Sequence, residues 1–165
     1  MNEFTAIQPV VENTEALASQ ISPILFGGAI FLLVLACHAV FSELSTLIHR
    51  RLTMPLRRRR RPWLARPLLY LSILLLVASH LLEITIWGYA LYWSGLAKSL
   101  SEALYFSGST YTTLGYGYDI LPGSLNVITA VIALSGMFSI AWTTSILMGM
   151  VGSLHSGFPK KSTPD

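Results

Sequence analysis

The chain has 165 residues, 53% hydrophobic and 12% charged. That is about half the charge of an ordinary soluble domain, and the length suits one domain of modest size. A single cysteine, Cys37, excludes an intrachain disulfide and gives no metal cluster.

Residues 1–21 are polar and mildly acidic, with Glu3, Glu12 and Glu15, and read as a flexible or weakly helical tail. Ser22-Pro23 has the form of an N-cap followed by proline at the first helical position. From Ile24 to about Ile48 the chain is almost wholly apolar. About 25 helical residues rise roughly 37 Å, enough to cross a bilayer, so 22–49 is predicted to be a transmembrane helix. The N-terminus lacks a basic region and this apolar run starts late, so the run is expected to be a retained anchor.

Eight of the eleven Lys/Arg lie from Arg50 to Arg66, and none precedes Arg50. Pro55 and Pro62 should interrupt a long helix there. A basic connector between two apolar spans is expected to stay on the cytoplasmic side. The second span covers 67–93, with Trp87, Tyr89, Tyr92 and Trp93 toward its far end, where amphipathic rings favour headgroups. Gly95 should stop it. Ser99-Leu100-Ser101-Glu102 has capping-box spacing, and a helix over 99–112 is too short to span. A polar stretch follows, Tyr111-Thr112-Thr113-Leu114-Gly115-Tyr116-Gly117-Tyr118-Asp119. Pro122-Gly123 reads as a turn, and Ser124 as the cap of a third span over 124–154. Gly157 and Pro159 close it, and Lys160 and Lys161 fall in a tail, 155–165. If 50–66 is inside, the N-terminus and 94–123 are outside and the C-terminus is inside.

A short helix, an extended polar strand and another long apolar helix make the order of a re-entrant loop. Irregular backbone at membrane depth is tolerated only where it lines water or is buried in protein. A row of carbonyls facing a shared axis is one use for it.

Thr113-Leu114-Gly115-Tyr116-Gly117 resembles the T-V/L-G-Y-G filter of potassium channels. Ala103-Leu104-Tyr105-Phe106-Ser107 before it and Asp119-Ile120-Leu121-Pro122 after it resemble the bacterial two-transmembrane pore ("ion channel 2") family. Trp142-Thr143-Thr144 is similar to a pattern in some bacterial members. The resemblance covers about 67–152. It implies an all-α membrane protein: an accessory helix, a pore domain of outer helix, pore helix, filter 113–119 and inner helix, and assembly as a homotetramer. It implies a passive potassium-selective channel in the cell inner membrane. The carbonyls of Thr113, Leu114, Gly115 and Tyr116 would replace the hydration shell of K⁺, with the Thr113 hydroxyl as innermost ligand. Gly117 completes the ion-binding stretch, and Thr112, Tyr118 and Asp119 would support it. Alternate residues need conformations that glycine reaches freely, and the Tyr116 ring would brace the filter against the pore helix.

The family usually has Asp directly after the second Gly, whereas here Tyr118 intervenes before Asp119. That departure leaves a weakly selective cation channel as the nearer alternative. A non-conducting membrane scaffold or regulatory subunit is the farther one. No nucleophile–base pair and no phosphate-binding glycine loop occurs, so neither an enzyme, a cofactor nor a nucleic-acid partner is expected.

His38 lies mid-way in the first span, and His80 and Glu83 mid-way in the second, three apart on one face. A structural set of interhelical hydrogen bonds is the favoured reading; the alternative is an ionisable cluster tuning gating. Arg57, Arg58, Arg59, Arg60 and Arg61 are contiguous. A voltage sensor would space its arginines about every third residue, so the run reads as a topology determinant that also attracts anionic headgroups. Gly136, mid-way in the third span, is either a small residue for close packing or, as in related channels, a gating hinge.

Overall fold

A computed structural model describes residues 4–58, 65–116 and 126–155, with side chains for 22–55, 66–116 and 126–153. The described residues form four helices: α1 Phe4–Arg58, α2 Ala65–Trp93, α3 Leu100–Tyr111 and α4 Asn126–His155. Three stretches are long and apolar enough to cross a membrane: Ser22–Pro55, Arg66–Trp93 and Asn126–Ser153.

Two expectations are corrected in α1. The helix begins at Phe4, not at Ser22-Pro23, and it continues through Pro55 to Arg58. A proline inside a helix removes one backbone bond and clashes with the preceding turn. The flanks hold the helix regardless: Glu15-Ala16-Leu17-Ala18 before Pro23 are strong helix formers. Near Pro55, the Thr53 hydroxyl donates to the His49 carbonyl at 2.6 Å. The basic connector therefore lies partly on helix, and only 59–64 remain between α1 and α2, outside the described residues. The turn at Pro122-Gly123, the Ser124 cap and the C-terminal tail from 156 also lie outside them.

The chain divides into two compact units. The first takes Met1–Val34 and Ile84–Gly136. Its core gathers Val34, Trp87, Leu91, Ala103, Phe106, Tyr111, Ile128 and Ile132, so α3 is held among the three longer helices. Trp87 is fully buried, and its indole N–H donates to Ser135 Oγ at 3.0 Å. The end of α2 is closed by a Schellman motif. Leu96 N–H donates to Leu91 O at 3.0 Å and Gly95 N–H to Tyr92 O at 3.1 Å. Gly95 has φ +73°, the left-handed conformation this cap requires and glycine reaches without strain.

The second unit takes Leu35–Glu83 and Met137–Asp165. Polar groups tie its helices. Ser45 Oγ donates to Ser72 O at 3.3 Å, and Ser72 Oγ lies 3.3 Å from His49 Nδ1. Leu25, Leu32, Leu74, Leu81 and Met148 stay exposed. So much exposed apolar surface would be a liability in water and is ordinary against lipid, where interhelical contacts are made by packing and hydrogen bonds instead.

Candidate functional site

The site is built on α3. Ser99, in an extended conformation, caps it by accepting from Glu102 N–H at 3.2 Å. The Glu102 carboxylate reaches back to the N–H of Lys98 at 3.0 Å, one residue earlier than the usual capping box. The other end runs directly into Thr113-Leu114-Gly115-Tyr116. Thr113 N–H donates to Thr110 O at 2.9 Å and Leu114 N–H to Ser109 O at 2.8 Å. These are the two bonds of a second Schellman motif, so Thr113 is the left-handed cap of α3.

That cap residue is Thr113, at φ +63°. For a β-branched side chain this is an outlier. The left-handed region costs an L-residue roughly 1–2 kcal/mol. Backbone strain of this kind persists where surrounding structure over-determines it, commonly at functional positions. Gly115 repeats the positive φ, at +74°, with Leu114 between them. Gly115 N–H also donates to Ser109 O, at 3.2 Å. The N–H groups of Thr113, Leu114 and Gly115 are thus all turned back on the last turn of α3.

Ser109 joins both sides of this turn. Its carbonyl receives two N–H groups, and its hydroxyl donates to the Tyr116 carbonyl at 2.6 Å. The Tyr116 carbonyl, expected to face an ion, therefore already carries one donor. The Tyr116 ring is 62% exposed in the single chain, so within one chain it does not brace α3. The Thr112 hydroxyl donates to Gly108 O at 2.8 Å, closing the last turn. Gly117, Tyr118 and Asp119 lie outside the described residues.

Gly136 lies against this turn. A Cβ there would stand 2.8 Å from the Tyr111 carbonyl carbon and 3.0 Å from Tyr111 Cγ, with the Tyr111 carbonyl oxygen closer still. Such spacing favours the packing reading: α4 can approach the end of α3 only without a side chain at 136.

A second candidate cluster gathers His38, His80 and Glu83. His38 Nδ1 and Glu83 Oε1 are 2.7 Å apart, both fully buried. Thr143 Oγ1 lies 3.4 Å from His38 Nε2 and 3.0 Å from His80 Nε2. The two imidazole centroids are 5.4 Å apart, and Trp142 meets His38 edge-on at 5.6 Å. The three ionisable groups come close enough to hold a metal ion, but each ring nitrogen named here already meets a hydrogen-bonding partner. The cluster thus has the geometry of an interhelical tie.

Sequence reasoning missed Ser109 and the placement of Thr143. Ser109 is seven residues before Tyr116, a spacing that means nothing until the chain is known to reverse at Thr113. Thr143 stands in a noted motif, but a nearly uniform apolar helix does not reveal which face it presents.

Residues 79–152, a little under half of the chain, match the profile of the family described as "Ion channel". No curated protein and no solved structure matches the chain. The family match, beside three helices able to span a membrane, points to a multi-pass membrane protein and to a channel rather than an enzyme.

Proposed function

We propose that this chain is the subunit of a homotetrameric channel that passes K⁺ down its electrochemical gradient. The observation that carries the reading is the reversal at Thr113–Gly115. Three successive N–H groups face α3, leaving the opposite side of Thr113–Gly115 to present carbonyls, while the Tyr116 carbonyl also accepts from Ser109. The positive φ at alternate residues, Thr113 and Gly115, is what such a strand needs. The match of 79–152 to the ion channel family supports the reading from outside the geometry.

On this reading four strands surround a dehydrated ion, which meets the carbonyls of Thr113, Leu114, Gly115, Tyr116 and Gly117. Ser109 fixes the strand to α3, and Thr112, Tyr118 and Asp119 support it. K⁺ is cargo, and no resident cofactor is invoked. The basic residues from Arg50 to Arg66 set the cytoplasmic side, with Arg57–Arg61 drawn to anionic headgroups. The N-terminus is then outside and the C-terminus inside, in the cell inner membrane.

Tyr118, standing where the family usually has Asp, favours a second reading: a cation pore of weak selectivity. Flux from liposomes containing the purified protein separates the two. K⁺ efflux blocked by Ba²⁺, with little Na⁺ efflux, supports the selective channel. Comparable flux of both ions supports the weakly selective pore. A folded protein that is monomeric or dimeric and passes neither ion refutes both, and leaves a membrane scaffold.

A further inference from the structure

The ends of the first and third spans hold a cavity of about 340 Å³ in the second unit. Thr46, His49, Arg50, Thr53 and Met54 of α1 are among the residues that line it, together with Ile146 and Met150 of α4. Its volume is that of a small ligand site. Among the described residues, no acidic one lines it.

His49 is the informative residue. It is 3% exposed, and its Nε2 has no hydrogen-bond partner among the described residues. Buried polar atoms are rarely left this way, and each needs an explanation. The other ring nitrogen is occupied, with Nδ1 3.3 Å from Ser72 Oγ. Ser72 Oγ donates to Leu68 O at 3.0 Å, so it meets Nδ1 as an acceptor and the neutral ring carries its proton on Nδ1. A protonated ring carries one on each nitrogen, and that form offers Nε2–H to an acceptor. The next residue, Arg50, is exposed and forms no ion pair among the described residues. The Thr53 hydroxyl proton is already given to the His49 carbonyl. The wall therefore combines an unpartnered imidazole and an unpaired guanidinium with the apolar Ile146 and Met150.

We infer that this cavity binds the phosphate headgroup of an anionic membrane lipid. Arg50 meets the phosphate charge, His49 Nε2–H donates to a phosphate oxygen, and the glyceride lies along Ile146 and Met150. A lipid fits better than a soluble anion because Met54, Ile146 and Met150 make much of the wall apolar. The residues also stand at the ends of Ser22–Pro55 and Asn126–Ser153, level with headgroups when those helices cross a bilayer. The neighbouring Arg51 and Arg57–Arg61 raise the local concentration of anionic lipid.

The test is lipid binding by the full chain in neutral detergent, read by native mass spectrometry. Phosphatidylglycerol is compared with phosphatidylcholine, and inorganic phosphate is added as competitor. The expected result is a retained phosphatidylglycerol whose affinity falls about tenfold in Arg50→Gln and in His49→Gln, since each removes a charge-assisted contact. Substituting Arg57–Arg61 together by Gln should leave this bound lipid in place in detergent. Arg50 is exposed, so its variant answers the question even if His49→Gln fails to fold. Equal binding of both lipids, or unchanged affinity in Arg50→Gln, overturns the inference. Displacement by millimolar phosphate assigns the cavity to a free anion and overturns the lipid. Loss of oligomer in Arg50→Gln, with no change in lipid retained, assigns the cavity to a second copy of the chain.

Discussion

Replacing Gly136 by Ala tests whether this glycine exists for contact or for bending. The new methyl would stand 2.8 Å from the Tyr111 carbonyl carbon, whereas carbon atoms settle at about 3.5–4.0 Å. The obstacle is backbone on both sides, so α4 and the end of α3 must separate by about an ångström. Overpacking of this kind costs about 1–3 kcal/mol, offset by up to about 1 kcal/mol for removing glycine from a helix. The expected net loss is about 1–2 kcal/mol, read as a lower thermal midpoint in detergent. Flux should fall with it, because Tyr111 lies just before the turn proposed as the filter. Gly152→Ala is the control on the same helix. Nothing lies within 4 Å of its Cβ position, so only the propensity gain remains and the midpoint should rise. A hinge makes the opposite prediction for Gly136→Ala, with a stabler protein that opens less. A midpoint at or above that of the wild type would refute the packing argument.

Four further outcomes follow from the same geometry. Gly115→Ala, at φ +74°, should cost roughly 1–2 kcal/mol at that residue and abolish selective flux while the oligomer survives, as size-exclusion and liposome flux would show. Thr113→Gly should relieve the left-handed strain and stabilise the protein by about 1 kcal/mol, yet reduce K⁺ selectivity by removing the hydroxyl; equal stability in thermal unfolding would contradict the strain. Ser135→Ala leaves the buried Trp87 N–H without its acceptor and should cost about 1–3 kcal/mol, much of it recovered when Trp87→Phe is added. A double-mutant cycle on His38 and Glu83, read by unfolding, should give a coupling of about 1 kcal/mol or more, with Glu83→Gln milder than Glu83→Ala because an acceptor remains.

Local rules made much of this legible. Ser99 and Glu102 mark the start of α3 because a cap needs only neighbours within one turn, and Gly95 marks the end of α2 for the same reason. The polar trio His38, His80 and Glu83 stands out because such residues are expensive among apolar ones and must find each other. The prolines misled, since Pro23 and Pro55 lie within one continuous helix whose flanking turns outweigh a missing bond. The role of Gly136 depends on the approach of Tyr111, and that of Ser109 on a chain reversal; neither leaves a periodic trace. Gly95 and Thr113 hold the same position in two Schellman motifs. Only the first announces itself, because glycine is the residue expected there and threonine is not.

Thr143 has one hydroxyl proton and stands between two imidazole nitrogens. It can donate to His38 or to His80, and the ring that does not receive its proton must offer one to keep its contact. The tautomers of two histidines on different helices are therefore correlated through a threonine on a third. Because His38 faces Glu83 with its other nitrogen, its choice of tautomer also decides whether it offers that carboxyl group a proton or a lone pair. A local rearrangement at one member is felt as a change of hydrogen-bond direction at the others, with little movement of any heavy atom.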